Sequence, residues 1–174
     1  MSFLFKSVDL GCFCKLTLEG CMNNLTHSFA SGVIADYFLA LANNAGNTLT
    51  PMQINKLVYI AHGFFMGYTG NPLIKEPIEA WQYGPVVASL YHRFKGYGGQ
   101  AIYEVGKMTH LPDVAETIIT QVYEKYGNKN GIELSGITHK DGTPWSLTYN
   151  GNFHKPIGND LIQSYYEGLL NVQR

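Results

Sequence analysis

The histidine best placed for chemistry is His139, in the segment THKDGTPW over residues 138–145. A carboxylate two residues after an imidazole can orient the ring, so His139 with Asp141 could form a general base. The alternative is that Thr138 and His139 close the end of a short helix while Trp145 fills a core pocket. Single residues in such motifs have little specificity, and we favour the structural interpretation.

The other histidines and the possible nucleophiles give no catalytic or metal-binding pattern. His62 shares a predicted helical face with Asn55, Tyr59 and Met66 but lacks the second histidine at i+4 that a helical zinc site uses. The chain has no G-x-S-x-G nucleophile elbow and no G-K-[ST] phosphate loop. We therefore expect no metal, no cofactor and no enzymatic activity.

A lysine and two aromatic residues are better suited to binding than to catalysis. Lys56 shares a helical face with Tyr59, where its stem could cover aromatic rings and its ammonium could pair with a carboxylate of the chain. Alternatively, Lys56 anchors an acidic group of a partner. Trp81 and Tyr83 alternate along a predicted strand, so they point the same way. They are core residues or the centre of a protein interface; we favour the core for Trp81 and leave Tyr83 open.

Most of the elements that position these residues are predicted to be helices. Thr50-Pro51-Met52-Gln53 is a capping box with proline at the first helical position. The fold class is mainly α, a compact single helical domain of about five to six helices with a short β-hairpin. We predict helices over 33–44 (capped by Ser28 or Ser31), from 51 to about 70, from Gly84-Pro85 to 94, from 112 to 126, over 132–139 and over 159–171.

The remaining elements are one hairpin and one long loop. Leu73-Ile74 is predicted to pair with residues 78–82, and residues 143–156 read as loop. Glu76 and Glu79 flank the hairpin turn and are expected to face solvent. The last helix is expected to bury Leu161, Ile162, Tyr165 and Leu169.

Composition and charge favour a protein partner. The 174 residues include twelve tyrosines, which combine apolar area with a polar tip and suit protein interfaces, although they also suit the rim of a core. The formal net charge of -1 argues against nucleic acid, whose binders usually carry a basic face. No apolar run approaches the roughly 20 residues that span a bilayer.

Residues 1–27 are predicted to be an appendage to a domain over 28–174. They contain all three cysteines, Cys12, Cys14 and Cys21, without the second pair that a metal site would need. Met22 is a candidate true start. A folded part without cysteine suits a reducing cytoplasm.

If residues 1–21 are dispensable, a chain over residues 22–174 should melt within a few degrees of the full chain in a thermal scan. A loss equivalent to about 1 kcal/mol or more would contradict this prediction.

Three ordered motifs resemble the Panacea (SocA-like) antitoxin domain, which also includes GepA-type phage-associated proteins. They are K-L-V-Y at residues 56–59, A-W-Q-Y-G-P-V at 80–86, and T-H followed by P-W at 138–145. The resemblance implies structural roles for these motif residues: Leu57, Trp81, Gly84, Pro85, Val86, Thr138, His139, Pro144 and Trp145.

The resemblance also implies a function. The chain would be a prophage or mobile-element antitoxin that binds a co-encoded toxin directly, either covering its active surface or delivering it to a protease such as a Clp-type unfoldase. The complex would be one-to-one or built on a homo-oligomer. With the tyrosine excess, this suggests partner-binding residues Lys56, Tyr59, Tyr83 and Tyr91. The alternative is a small DNA-binding regulator that uses Arg93 and Lys95 on the third helix.

Overall fold

The computed structural model describes residues 28–151 and 154–171, so the predicted appendage at 1–27 lies outside the described residues. The described part is mainly helical, a single compact domain with a small antiparallel sheet, which confirms the predicted fold class. Its helices are α1 Ser31–Asn44, α2 Pro51–Thr69, α3 Ala88–Phe94, α4 Asp113–Tyr126, α5 Gly131–Thr138, α6 Pro144–Thr148 and α7 Asn159–Asn171, with a 3-10 turn at Lys95–Tyr97. None of the helices in these ranges is long and apolar enough to cross a membrane.

Helix α2 is the central element of the fold. It begins at the predicted capping box, where the Thr50 hydroxyl accepts from the Gln53 backbone N–H at 3.4 Å and the Gln53 side chain accepts from the Thr50 N–H at 2.9 Å. It packs against α7, α4, α1 and the sheet. Because these neighbours surround it, α2 is buried over most of its circumference rather than along one apolar stripe.

Helix α7 crosses α2 at glycines. A β-carbon at Gly63 would overlap the ring of Tyr166, and one at Gly67 would lie 2.8 Å from the backbone nitrogen of Glu167. The close approach buries Ile162 and Tyr166. The prediction that α7 buries Ile162 is confirmed. The same prediction is wrong for Leu161, which is 38% exposed, and Tyr165 and Leu169 are only partly buried. The glycine contact sets the rotation of α7, and the apolar spacing of α7 alone did not show it.

The predicted cap of α1 is wrong. The residue before the helix is Ala30, which offers no side-chain cap, and Ser31 is already the first helical residue. The Ser31 backbone N–H and hydroxyl both donate to the Glu76 carboxylate at 2.9 Å. Glu76 therefore caps α1 from a distant part of the chain, which also corrects the expectation that it faces solvent.

The hairpin joins different segments from those predicted. Strand β1 (Ile78–Trp81) pairs antiparallel with β2 (Gly84–Val87), and β3 (Lys155–Pro156) pairs with the other edge of β1. Ile74 instead forms a parallel bridge with Phe29. Gly84-Pro85 does not open a helix, because it lies in β2 and α3 begins at Ala88. Proline is tolerated in β2 because β2 is an edge strand.

The predicted loop over 143–156 contains two short elements. Thr143 caps α6 through its hydroxyl, which accepts from the Ser146 N–H at 3.3 Å, and Pro144 occupies a first-turn position. Strand β3 follows and completes the sheet. The predicted helices α4 and α5 are confirmed, and α5 begins at a capping box of Asn130 and Glu133.

Candidate functional site

An apolar cleft of about 370 Å³ lies between the first turns of α2, the β1–β2 hairpin and α3. Three of the four predicted partner-binding residues line it, namely Lys56, Tyr83 and Tyr91. Trp81 and Val86 of the A-W-Q-Y-G-P-V motif line it as well. Residues far apart in the sequence therefore meet at one concave surface.

Lys56 lies at the floor of this cleft and is only 1% exposed. Its Nζ donates to the backbone carbonyl of Pro85 at 3.0 Å. Burial away from water lowers the pKa of Lys56 to about 7, and no carboxylate of the described residues opposes that shift. Of the two roles considered for Lys56, pairing with a carboxylate of the same chain is therefore not what the structure shows.

Gly84 makes room for this lysine. Its φ of 106° is one that side-chain-bearing residues rarely adopt, and a β-carbon there would lie 2.6 Å from the Lys56 Nζ. The hydroxyl of Thr138 would lie 3.0 Å from the same β-carbon. The K-L-V-Y, Y-G-P-V and T-H motifs therefore meet around the Lys56 ammonium, where Gly84, Pro85 and Thr138 lie close together.

Asn55 is a residue that sequence reasoning missed. Its side-chain Oδ1 accepts from the backbone N–H of Val87 at 3.0 Å, and its Nδ2 donates to the Pro51 carbonyl at 3.2 Å. Asn55 and Lys56 thus hold β2 against α2 through adjacent hydrogen bonds. The adjacent polar residues Asn55 and Lys56 within a mainly apolar helix were the feature of the sequence that could have indicated this contact.

The rim of the cleft is aromatic and partly exposed. Tyr83 is 61% exposed and Tyr91 is 40% exposed. The ring of Trp81 packs edge-on against Tyr91, with centroids 4.8 Å apart, and its Nε1 donates to the Glu79 carboxylate at 2.8 Å. Trp81 is half-buried, so it lies at the edge of the core and not fully inside it. Glu79 is also half-buried and accepts this hydrogen bond, so it does not simply face solvent as expected.

Tyr59 does not belong to this surface. It is 2% exposed and packs edge-on against Tyr166 in the core, with ring centroids 6.1 Å apart. Burial raises its pKa, with a smaller contribution from Tyr165. The predicted binding set therefore lies partly inside the molecule, because α7 packs over the part of α2 that carries Tyr59. Leu57 is also fully buried.

His139 and Trp145 form an aromatic stack beside the cleft. Their rings are parallel at 3.7 Å, and Tyr149 stacks on Trp145 at 4.9 Å. The Trp145 Nε1 donates to the Trp81 carbonyl at 2.8 Å, which ties the third motif to the hairpin. Pro144 is buried behind the stack.

Asp141 does not orient His139 in the described residues, and the His139 Nε2 lies 3.5 Å from the Ser135 hydroxyl. His139 caps the C-terminus of α5, and Asp141 is exposed and forms no hydrogen bond with it among the described residues. Burial, and then the charge of Lys56, lower the pKa of His139. These contacts fit the structural interpretation of the T-H segment.

The remaining candidate residues have structural contacts. His62 is buried, and its Nδ1 accepts from the Ile74 backbone N–H at 3.3 Å. Arg93, proposed as a nucleic-acid contact, pairs with Asp36 and Glu104, each at 2.7 Å. Within residues 28–151 and 154–171, no three histidine, cysteine or acidic side chains are grouped to hold a metal ion.

Comparison with known proteins places these motifs in a family. The model of the antitoxin SocA-like Panacea domain matches residues 54–146, which is more than half of the chain and contains the lining of the cleft apart from Pro51 and Met52. Antitoxin SocA of Caulobacter vibrioides (strain NA1000 / CB15N) is 28% identical over 131 residues, covering 68% of this chain and 69% of that protein. No solved structure matches. The chain belongs to the SocA-like Panacea domain family of antitoxins.

Proposed function

We propose that this chain neutralises a toxin protein by binding it directly through the cleft and its aromatic rim. The observation that carries the proposal is the exposure of Tyr83 and Tyr91 at the mouth of an apolar cleft. Tyrosine is among the residues that dominate binding energy at protein interfaces, especially beside a pocket that excludes water. Stoichiometric binding needs no catalytic residue, so we infer a non-enzymatic antitoxin.

The proposal extends to the setting and fate of the complex. We infer action in the cytoplasm on a toxin encoded beside this chain, on a prophage or another mobile element. Occlusion of the toxin is the simpler mechanism, and delivery to a Clp-type protease would use the same binding step. The two differ in one observable, since only delivery shortens the lifetime of the toxin in cells. A homo-oligomer of this chain is compatible with either mechanism.

Co-expression with each neighbouring gene product tests the function. We expect one product that stops growth alone, is harmless with this chain, and is recovered with it as a stable complex. Rescue at strongly substoichiometric levels without a complex would instead indicate an enzymatic antitoxin.

Tyr83→Ala should weaken the complex by about 2 kcal/mol or more, roughly 30-fold in Kd, while leaving the melting temperature unchanged. The reason is that Tyr83 is 61% exposed, so truncation removes an interface anchor without opening the core. Calorimetry on the purified complex measures the affinity. Tyr103→Ala is a matched control, because Tyr103 is 77% exposed but does not line the cleft. Equal affinities of the two variants would show that the rim is not the binding centre.

A further inference from the structure

The Lys56 ammonium is the least compensated charge at the cleft. It is buried and, among the described residues, donates to one acceptor, the Pro85 carbonyl, although an ammonium has three donors. Within residues 28–151 and 154–171, no aspartate or glutamate lines the cleft with it. A buried cation without an anion is costly, and it is stabilised when a carboxylate reaches it.

The shape of the cleft restricts what can bring that carboxylate. Its volume of about 370 Å³ and its Met52, Trp81 and Val86 walls suit an apolar side chain better than a hydrated ion. The chain as a whole has only a slight negative charge, so long-range attraction does not select the ligand. The choice of ligand therefore depends on its direct contacts with the floor of the cleft.

We propose that the cleft receives a toxin segment in which an acidic side chain lies next to an aromatic or aliphatic one, the carboxylate binding the Lys56 ammonium and the apolar group packing on the aromatic rim. This inference rests on the proposed function and names the chemistry of the partner. It makes Lys56 a specificity-determining residue, because a partner with an apolar side chain alone would leave the ammonium unpaired.

The titratable groups around Lys56 make the contact sensitive to pH. From strand β2, Gly84 and the Pro85 carbonyl lie beside the ammonium, and neither titrates. The nearby titratable side chains among the described residues are the phenols of Tyr83 and Tyr91 at the rim and the imidazole of His139 at the end of α5. The pKa of His139 is lowered from 6.5, so this ring is neutral above that pH. A toxin carboxylate would raise the Lys56 pKa from about 7, so binding takes up a proton. Affinity should be full below pH 7 and fall as the pH rises from 7 to 9.

The first test uses the toxin identified by growth rescue, with the full chain. Lys56→Met should weaken toxin binding about 30-fold or more at pH 6.5, since the toxin carboxylate is then buried without a partner. The matched control is Lys107→Met, an exposed lysine outside the cleft, and it should bind like the parent. Calorimetry in buffers of different ionisation enthalpy should show proton uptake near pH 8 for the parent and not for Lys56→Met.

Neutralising the acidic residues of the toxin one at a time completes this test. One Asp→Asn or Glu→Gln change should weaken binding to the parent and remove its pH dependence, yet have no further effect on Lys56→Met. A toxin that binds the parent with no such residue, and with affinity independent of pH, would overturn the inference while leaving the proposed function intact. Failure of every neighbouring gene product to bind would count against the proposed function instead.

The second test needs no toxin. The small acid 3-phenylpropionate carries one carboxylate on an aromatic body, and 3-phenylpropionamide is its uncharged counterpart. The acid should bind the full chain at least about tenfold more tightly than the amide at pH 6.5, because a hydrogen bond to a buried charge contributes more than one to a neutral group. Lys56→Met should remove that preference. Equal binding of the acid and the amide to the parent would overturn the inference.

Discussion

Between pH 7 and about pH 9.5, the free energy of unfolding of this protein should rise, and Lys56→Met should remove most of that rise. The cause is the buried lysine at the floor of the cleft, whose pKa is lowered from 10.5 to about 7 in the folded chain. Between these two values the unfolded chain binds a proton that the folded chain has released. Stability therefore increases with pH, by about 1.4 kcal/mol per pH unit where the difference is one whole proton.

Other buried groups change stability outside this window. Burial lowers the pKa of His62 to about 4, so its contribution to stability is lost as the pH falls from about 6.5 to 4. Burial raises the pKa values of Tyr59 and Tyr166, so these phenols reduce stability once tyrosines of the unfolded chain ionise near pH 10. Partial burial also lowers the pKa of Lys125, so the part of the rise that Lys56→Met removes, rather than the whole rise, reports on Lys56.

Urea unfolding at pH 6.5, 8 and 9.5 measures the effect. Lys56→Met should be more stable than the parent at pH 6.5, since methionine fits the apolar site without a charge, although the Pro85 carbonyl loses its donor. The advantage should shrink as the pH rises. Lys107→Met, at an exposed position, should keep the slope of the parent. A parent chain whose stability is flat from pH 7 to 9.5 would mean that the Lys56 ammonium is solvated.

Trp145→Ala should destabilise the protein by about 3 kcal/mol, toward the lower end of what buried tryptophans show. Trp145 is half-buried, so the loss comes from three contacts: the stack on His139, the stack on Tyr149 and the hydrogen bond to the Trp81 carbonyl. Removing the ring also leaves that carbonyl without its donor.

Thermal and urea unfolding measure this loss, and Leu147→Ala provides the control on the same helix. Leu147 is 64% exposed, so its truncation should change stability by less than about 0.5 kcal/mol. If Trp145→Ala melts like the parent but no longer binds the toxin, then Trp145 acts at the interface rather than in the fold.

Local signals in the sequence determined the helical elements with strong caps. Thr50 and Gln53 predicted the start of α2 correctly because a capping box is satisfied within four residues. Helices α4, α5 and α7 were also predicted within one or two residues at their starts, although of these three only α5 is shown to begin at a capping box. The three motifs likewise indicated the family without any knowledge of their contacts.

Tertiary structure decided the features that depend on distant neighbours. Gly84-Pro85 reads locally as a helix start, but pairing with Trp81 and Ala80 makes it an edge strand. Ser31 reads as a cap, but Glu76 supplies the cap from 45 residues away. In both cases the predicted local role failed because the backbone groups found partners outside the predicted helix, in strand β1 for Gly84-Pro85 and at Glu76 for Ser31.

For the candidate site too, the sequence indicated some features and only the tertiary structure showed the others. The sequence marked Lys56, Tyr83 and Tyr91 as binding residues from their types and motifs, and their roles stay a prediction. It did not determine that Tyr59 turns inward, that Asn55 holds β2, or that the Lys56 ammonium is buried with no carboxylate partner in the described part of the chain. Side-chain type states what a residue can bind, whereas burial and charge pairing depend on which surfaces the fold brings together. For that reason only the tertiary structure revealed an apolar cleft with an unneutralised lysine at its floor.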